Sequence, residues 1–427
     1  MFARFRSWFV IPTLLLAAGS AGCQQQLMPT PNIYVGGRYE LFEQLAEELT
    51  GSTIDLLYIT DRAPETRKDG SLRYGYQRSP SLAFGSCFVE IGRNIDWETL
   101  VANSTVSKRS ISLPLNVRAI NERGRLIPTP LPLVEIDGKL VDDPKVLAVQ
   151  RELASVFFEE VNRRLALTHS KNAYIFVHGF NNTFEYAASV FAEFWHFGGR
   201  NGVPILYTWP AGSPWMIQGY NYDRESGEFT VYHLKQFIRH LAMVPELEKI
   251  HIIAHSRGTD VASTALRELL IEARGAGNLL RETMKIGHVI LASPDLDMEV
   301  VRQRFGAERF DTACERLTIY VSSQDKAIGL AEWLFQSKQR LGQLRPEDLT
   351  PEQRARLNEI DRVDIVDARV KTGFLGHSYY HSNPAVSSDI MLILRYGAEA
   401  GSPQRPLKEA APNYWVLDDE AYPFGDE

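Results

Sequence analysis

The chain has 427 residues, 44% hydrophobic and 23% charged, a composition that fits one large folded domain with additions or two of ordinary size. Its net charge of −7, with basic residues scattered among acids, offers no basic stripe and so argues against a nucleic-acid partner. The three dispersed cysteines, Cys23, Cys87 and Cys314, exclude a disulfide scaffold and a Cys/His metal cluster, leaving Cys87 and Cys314 as one disulfide or two buried thiols.

At the N-terminus, Arg4 and Arg6 precede an apolar run from Trp8 to Ala18, then Gly19-Ser20-Ala21-Gly22 and Cys23. Residues 1–22 therefore read as a secretory signal, too short to span a membrane stably. The Ala-Gly-Cys ending also resembles a bacterial lipobox, in which Cys23 would be the acylated first residue, although Ser20 stands where leucine is usual. A plain cleaved signal and an uncleaved anchor are the alternatives. Gln24 is not the aspartate that resembles an inner-membrane retention signal. The expected location is thus across the inner membrane, as an outer-membrane or periplasm-facing lipoprotein held by an N-terminal lipid anchor.

Residues 23–50 predict a polar tether, Gln24 to Asn32, and a short amphipathic helix from Tyr39 to Leu49. Residues 51–170 predict a support region. It has a strand at Thr53 to Thr60, a long loop from Glu65 to Pro80, further strands at Leu82 to Ile91 and a proline-punctuated stretch. A periodic helix follows from Leu147 to Leu165, with Leu153, Val156, Phe157, Val161 and Leu165 on one face.

From residue 171 to 398 strands and helices alternate as in a doubly wound, mostly parallel α/β sheet. Strands are expected at 174–177, 204–209, 249–254, 288–292, 317–321 and 363–368, with helices at 185–197, 230–242, from Ser256 to Ala273, near 298–305 and at 385–395. A charged insertion, Gln336 to Asp361, reads as a helical hairpin, and its polarity favours a solvated decoration over a lid. The tail, 399–427, is acidic and proline-containing and is expected to be only partly ordered.

The chemistry concentrates in Ala254-His255-Ser256-Arg257-Gly258, directly after an apolar strand. Small-x-Ser-x-Gly between strand and helix is the nucleophile elbow of α/β-hydrolases, a turn too tight for bulky flanking residues. Serine needs a base, and the base needs a third group to fix its tautomer. Asp325 and His377 follow in that chain order, each just past a strand's C-terminal end, where open parallel sheets meet their ligands. Asp295 and Asp297 are rival acids with helix capping as their plainer role, and His381 is a rival base. The His255 side chain leaves the elbow in the wrong direction for a base. Val177-His178-Gly179-Phe180-Asn181-Asn182 offers an oxyanion loop, so the backbone amides of Phe180 and Arg257 are the expected donors, each contributing ~10²-fold or more in rate. His178, Gly179, Asn181, His255 and Trp209 are expected to shape or line the substrate site. Asn181 serves equally as a helix cap; Asp223 and Glu225 could orient Arg257 or close the pocket, although capping the helix at Thr230 or a place on the surface is the plainer expectation.

These segments, with Tyr58-Ile59-Thr60-Asp61-Arg62-Ala63-Pro64, Trp209-Pro210-Ala211-Gly212-Ser213, Gly219 to Ser226, Ser322 to Ala327 and Gly376-His377-Ser378-Tyr379-Tyr380, resemble a bacterial α/β-hydrolase family of unknown function over about residues 50–396. The resemblance implies the α/β-hydrolase fold and a Ser256/Asp325/His377 triad, to which this chain's own pattern adds extra N-terminal strands and a helical insertion before His377. It implies no substrate. The expected function is a serine hydrolase of an acyl bond, first a carboxylic ester, on a small-molecule or lipid acyl substrate without a cofactor. A catalytically silent envelope binding protein and an amidase or peptidase on the same fold are the alternatives.

Overall fold

Strands as apolar as Tyr174 to Val177 or Ile252 to Ala254 need cover on both faces, and the structure supplies it. A computed structural model describes residues 25–213, 216–325, 340–372 and 376–423. In chain order the elements are β1 (Thr53–Thr66), β2 (Leu72–Ile91), α1 (Trp97–Ser104), β3 (Leu115–Arg125), a small hairpin of β4 (Leu133–Ile136) and β5 (Lys139–Asp142), α2 (Pro144–Ala166), β6 (Asn172–Val177), α3 (Phe184–Phe197), β7 (Val203–Thr208) and α4 (Met216–Ala242). Then come β8 (Lys249–His255), α5 (Gly258–Gly275), α6 (Leu280–Thr283), β9 (Ile286–Ala292), α7 (Met298–Val301), β10 (Arg316–Val321), α8 (Pro351–Asn358), β11 (Val363–Arg369), α9 (Tyr379–Ser382), α10 (Pro384–Tyr396), β12 (Lys408–Ala411) and β13 (Tyr414–Asp418).

Among the described residues, eleven strands form one sheet in the order β12-β13-β11-β10-β9-β8-β6-β7-β1-β2-β3. From β13 through β1 neighbouring strands are parallel, and the antiparallel pairs sit at the two edges. Successive residues of each parallel strand face opposite cores. Ile175, Ile252 and Leu291 pack with Phe157, Leu234 and Leu266 of α2, α4 and α5. Phe176, Ile253 and Ile290 pack with Phe191, Phe194 and Ile390 of α3 and α10. Burying each such side chain stabilises the fold by about 1.5–3 kcal/mol. Thr183 caps α3 by accepting the Tyr186 N–H. This is the doubly wound sheet that the alternation predicts.

Several expectations need correction. Gln24 to Asn32 is no tether from Gln25 onward: Leu27 and Met28 are buried, and backbone bonds tie Leu27 to Leu113 and Gln25 to Leu115, each at 2.8 Å. Tyr39 to Leu49 is irregular, with a single 3₁₀ turn at Glu47–Leu49. Tyr39 and Phe42, three apart and so on one face of any helix, dock instead on different partners, Tyr396 at 5.4 Å and Trp97 at 4.7 Å. Glu65 to Pro80 is mostly strand, because β1 and β2 continue as a hairpin through the pair Thr66–Leu72. In the insertion, residues 336–339 lie outside the described set. From Arg340 it holds two 3₁₀ turns and α8 rather than a hairpin, and Leu341, Leu344 and Leu349 join the core. The tail is integrated too, since β13 pairs with β11 and fully buried Arg405 makes two 2.8 Å bonds to Asp389. Cys87 and Cys314 are buried free thiols in separate cores on opposite faces of the sheet.

Candidate active site

The parallel array places the loops after β1, β6, β7, β8, β10 and β11 at one end of the sheet. Ser256 directly follows β8 with φ of +53°, the left-handed strain of a nucleophile elbow. Gly258 has to be glycine because a Cβ there would lie 2.3 Å from the His178 carbonyl oxygen and 2.5 Å from that of Val177. At the other flank Ala254 is fully buried, its methyl being all that the turn must enclose.

His377 Nε2 lies 2.8 Å from Ser256 Oγ, and His377 Nδ1 lies 2.8 Å from Asp325 Oδ2. The structure therefore brings together the three residues that chain order singled out. Gly376 sits at φ +68°, and a Cβ on it would come within 2.6 Å of the Gln324 carbonyl, so the loop carrying His377 rests directly on the loop carrying Asp325. Asp325 is fully buried, and Gln343 from the insertion donates to its carbonyl at 2.6 Å. Burial pushes the His377 pKa down, but the Asp325 charge and hydrogen bond outweigh it and hold it above the ordinary 6.5.

The rivals are engaged elsewhere. Asp295 pairs with Arg340 at 3.0 Å and accepts the Tyr220 hydroxyl at 3.2 Å, while Asp297 caps α7. His381 faces Glu193 at 2.8 Å. His255 stacks on Tyr380 at 4.3 Å, and burial together with the neighbouring His377 holds its pKa well below 6.5, so it stays neutral beside the site.

Around Ser256, the backbone of Gly179 passes so close that a Cβ would lie 2.8 Å from the serine Cβ. Among the described residues, neither the Phe180 nor the Arg257 backbone N–H meets an acceptor. Asn181 is not the cap of α3, which is Thr183. It sits at φ +57° and gives its N–H to Asp223 at 2.9 Å. His178 and Trp209, expected at the substrate surface, are fully buried behind the loop. Their rings stack at 5.2 Å, and the Trp209 indole donates to the His178 carbonyl at 2.8 Å. Burial, helped by the Arg62 charge, lowers the His178 pKa to about 3, so it stays neutral. The side chain of Arg257 pairs with Asp260 at 2.9 Å.

The sequence assigned no role to Arg62 or Arg340, and it placed Asp223 chiefly as a cap or surface residue. Arg62 and Asp223 brace the loops around the site. Arg340 pairs with Asp295. Asp223 lies inside α4, which begins at Met216 and not at Thr230, so it caps nothing; reading that helix from its true start would have grouped Tyr220 and Asp223 on one face. A signal for Arg62 was its place at the end of an apolar strand, where a charge needs partners. No pattern marked Arg340.

A family model described as alpha/beta hydrolase of unknown function (DUF900) matches residues 154–395, and the chain belongs to that family. The mostly parallel sheet with helices on both faces is accordingly an α/β-hydrolase fold. No curated protein matches the chain.

Proposed function

We propose that this α/β-hydrolase is a serine hydrolase that cleaves an acyl bond, first of all a carboxylic ester. The reading is carried by the unbroken relay of two 2.8 Å contacts, Ser256 Oγ to His377 Nε2 and His377 Nδ1 to Asp325 Oδ2, on a strained elbow. His377 takes the hydroxyl proton as Ser256 Oγ bonds to the acyl carbon. Asp325 holds the Nδ1–H tautomer and stabilises the imidazolium. The carbonyl oxygen, now an oxyanion, sits between the amides of Phe180 and Arg257. As the tetrahedral centre collapses, His377 returns the proton to the departing alcohol oxygen. Water then repeats the sequence on the acyl-enzyme and releases the acid.

The test is a panel of short- to long-chain 4-nitrophenyl esters. Wild type is expected to turn over at least the short members, with Ser256→Ala slower by on the order of 10⁴- to 10⁶-fold. A folded wild type no faster than Ser256→Ala on every ester would remove the reading.

We also propose that the protein is secreted and lipid-anchored at Cys23, supported by the basic, apolar and small-residue succession before that cysteine. Cys23 lies outside the described residues. Among those residues no helix is long and apolar enough to cross a membrane.

A further inference from the structure

Opposite charges grip the two loops after β6 and β7. Arg62 of β1, two residues past the last pair with β7, donates to the Asn182 carbonyl at 2.8 Å and the Ala211 carbonyl at 2.8 Å. Asp223 of α4 accepts the Asn181 N–H at 2.9 Å and the Gly212 N–H at 3.3 Å. The cation thus takes one carbonyl from each loop, and the anion takes one amide from each. The loops also touch, since a Cβ on Gly212 would be 3.1 Å from the Asn182 carbonyl oxygen. Both charged side chains are fully buried.

An isolated buried charge is costly, so each of these two depends on the other and on the backbone dipoles between them. Burial pulls the Arg62 pKa down to about 10, with the Asp223 charge holding it up, and the guanidinium stays protonated at neutral pH. Burial pushes the Asp223 carboxyl up to about 6 against the pull of the Asn181 and Gly212 amides and of Arg62. Between them lies the peptide joining Phe180 to Asn181. Asp223 fixes its N–H, and the Asn182 side chain donates to its carbonyl at 3.2 Å. Asn181 is left-handed without being glycine, a conformation that persists only where surroundings enforce it. Releasing that peptide would let the neighbouring Phe180 N–H turn away from Ser256.

We propose that Arg62 and Asp223 are a positioning pair that aims the Phe180 amide at the oxyanion. The inference rests on the hydrolase reading and explains how its oxyanion site is set. Neither residue touches substrate. Because the oxyanion exists only along the reaction path, loosening its donor lowers kcat and leaves KM alone.

The experiment uses the full chain with Asp223→Asn, which keeps the shape and one acceptor but not the charge, and Asp223→Ala, which keeps neither. It measures kcat and KM on 4-nitrophenyl acetate, with hydrogen exchange of the segments 178–183 and 210–213. On the scale of losing one oxyanion donor, kcat should fall about 10-fold for Asn and about 10²-fold for Ala, with KM within about twofold. Exchange should quicken in both segments. If Asp223→Ala fails to fold, Asp223→Asn and Arg62→Lys carry the test. Unchanged kcat in folded variants, a loss confined to KM, or unaltered exchange in both segments overturns the proposal. An inert wild type would remove the hydrolase reading and the positioning role together. An active wild type with unaffected variants removes only the positioning role.

Discussion

The charge on Asp325 decides the behaviour of a single imidazole at this site. In the proposed mechanism His377 accepts the serine proton only when neutral, and its pKa is held above 6.5. Activity should therefore rise with pH through a midpoint above 6.5 and fall about tenfold per unit below it. In Asp325→Asn the raising charge is gone and burial dominates, so the midpoint should move down while kcat drops on the order of 10⁴-fold. A kcat/KM profile of both proteins checks this, and an unmoved midpoint would contradict it. Ser256, Asp325 and His377 were legible in the sequence because the chemistry demands those residue types, in that order, at strand ends. The bracing roles of Arg62 and Asp223 were not. Their partners are backbone groups of loops after β6 and β7, and only the pairing of β1 with β7 brings Arg62 to them.

Among the elements, the parallel strands were readable because strands buried on both faces must be continuously apolar. At the edges the sequence placed strands within β1 and β2, but β3, β12 and β13 went unread, since their stability comes from distant partners. The segment after residue 398 is polar, yet Arg405 reaches Asp389 of α10, which also accepts the hydroxyls of Tyr320 at 2.5 Å and of Tyr422. Asp364 of β11 adds a second carboxylate at 3.6 Å. All of these side chains are buried, so the network locks β12 and β13 onto the sheet. Arg405→Met leaves Asp389 without its counter-charge and should cost about 3–5 kcal/mol in a urea melt. A loss below about 1 kcal/mol would show that the strand pairing suffices alone.

For the whole molecule, the N-terminal segment joins the envelope proposal to the fold. From Gln25 the chain is bonded to the residues leading into β3, and the Met28 N–H is held at 2.8 Å by Glu193 of α3. A lipid on Cys23 would leave only Gln24 between the acylated residue and the folded body, keeping that body close to the bilayer. Metabolic palmitate labelling should appear on the full chain and vanish in Cys23→Ala, and labelling that persists in the variant would contradict the anchor. The central claim is an activated serine, and the direct measurement is labelling of purified protein, lacking residues 1–23, with a fluorophosphonate probe beside Ser256→Ala and His377→Ala. Labelling of the wild type that both variants lose is the result expected; a folded wild type that takes no label would contradict the hydrolase reading and leave a silent binding platform on the same fold.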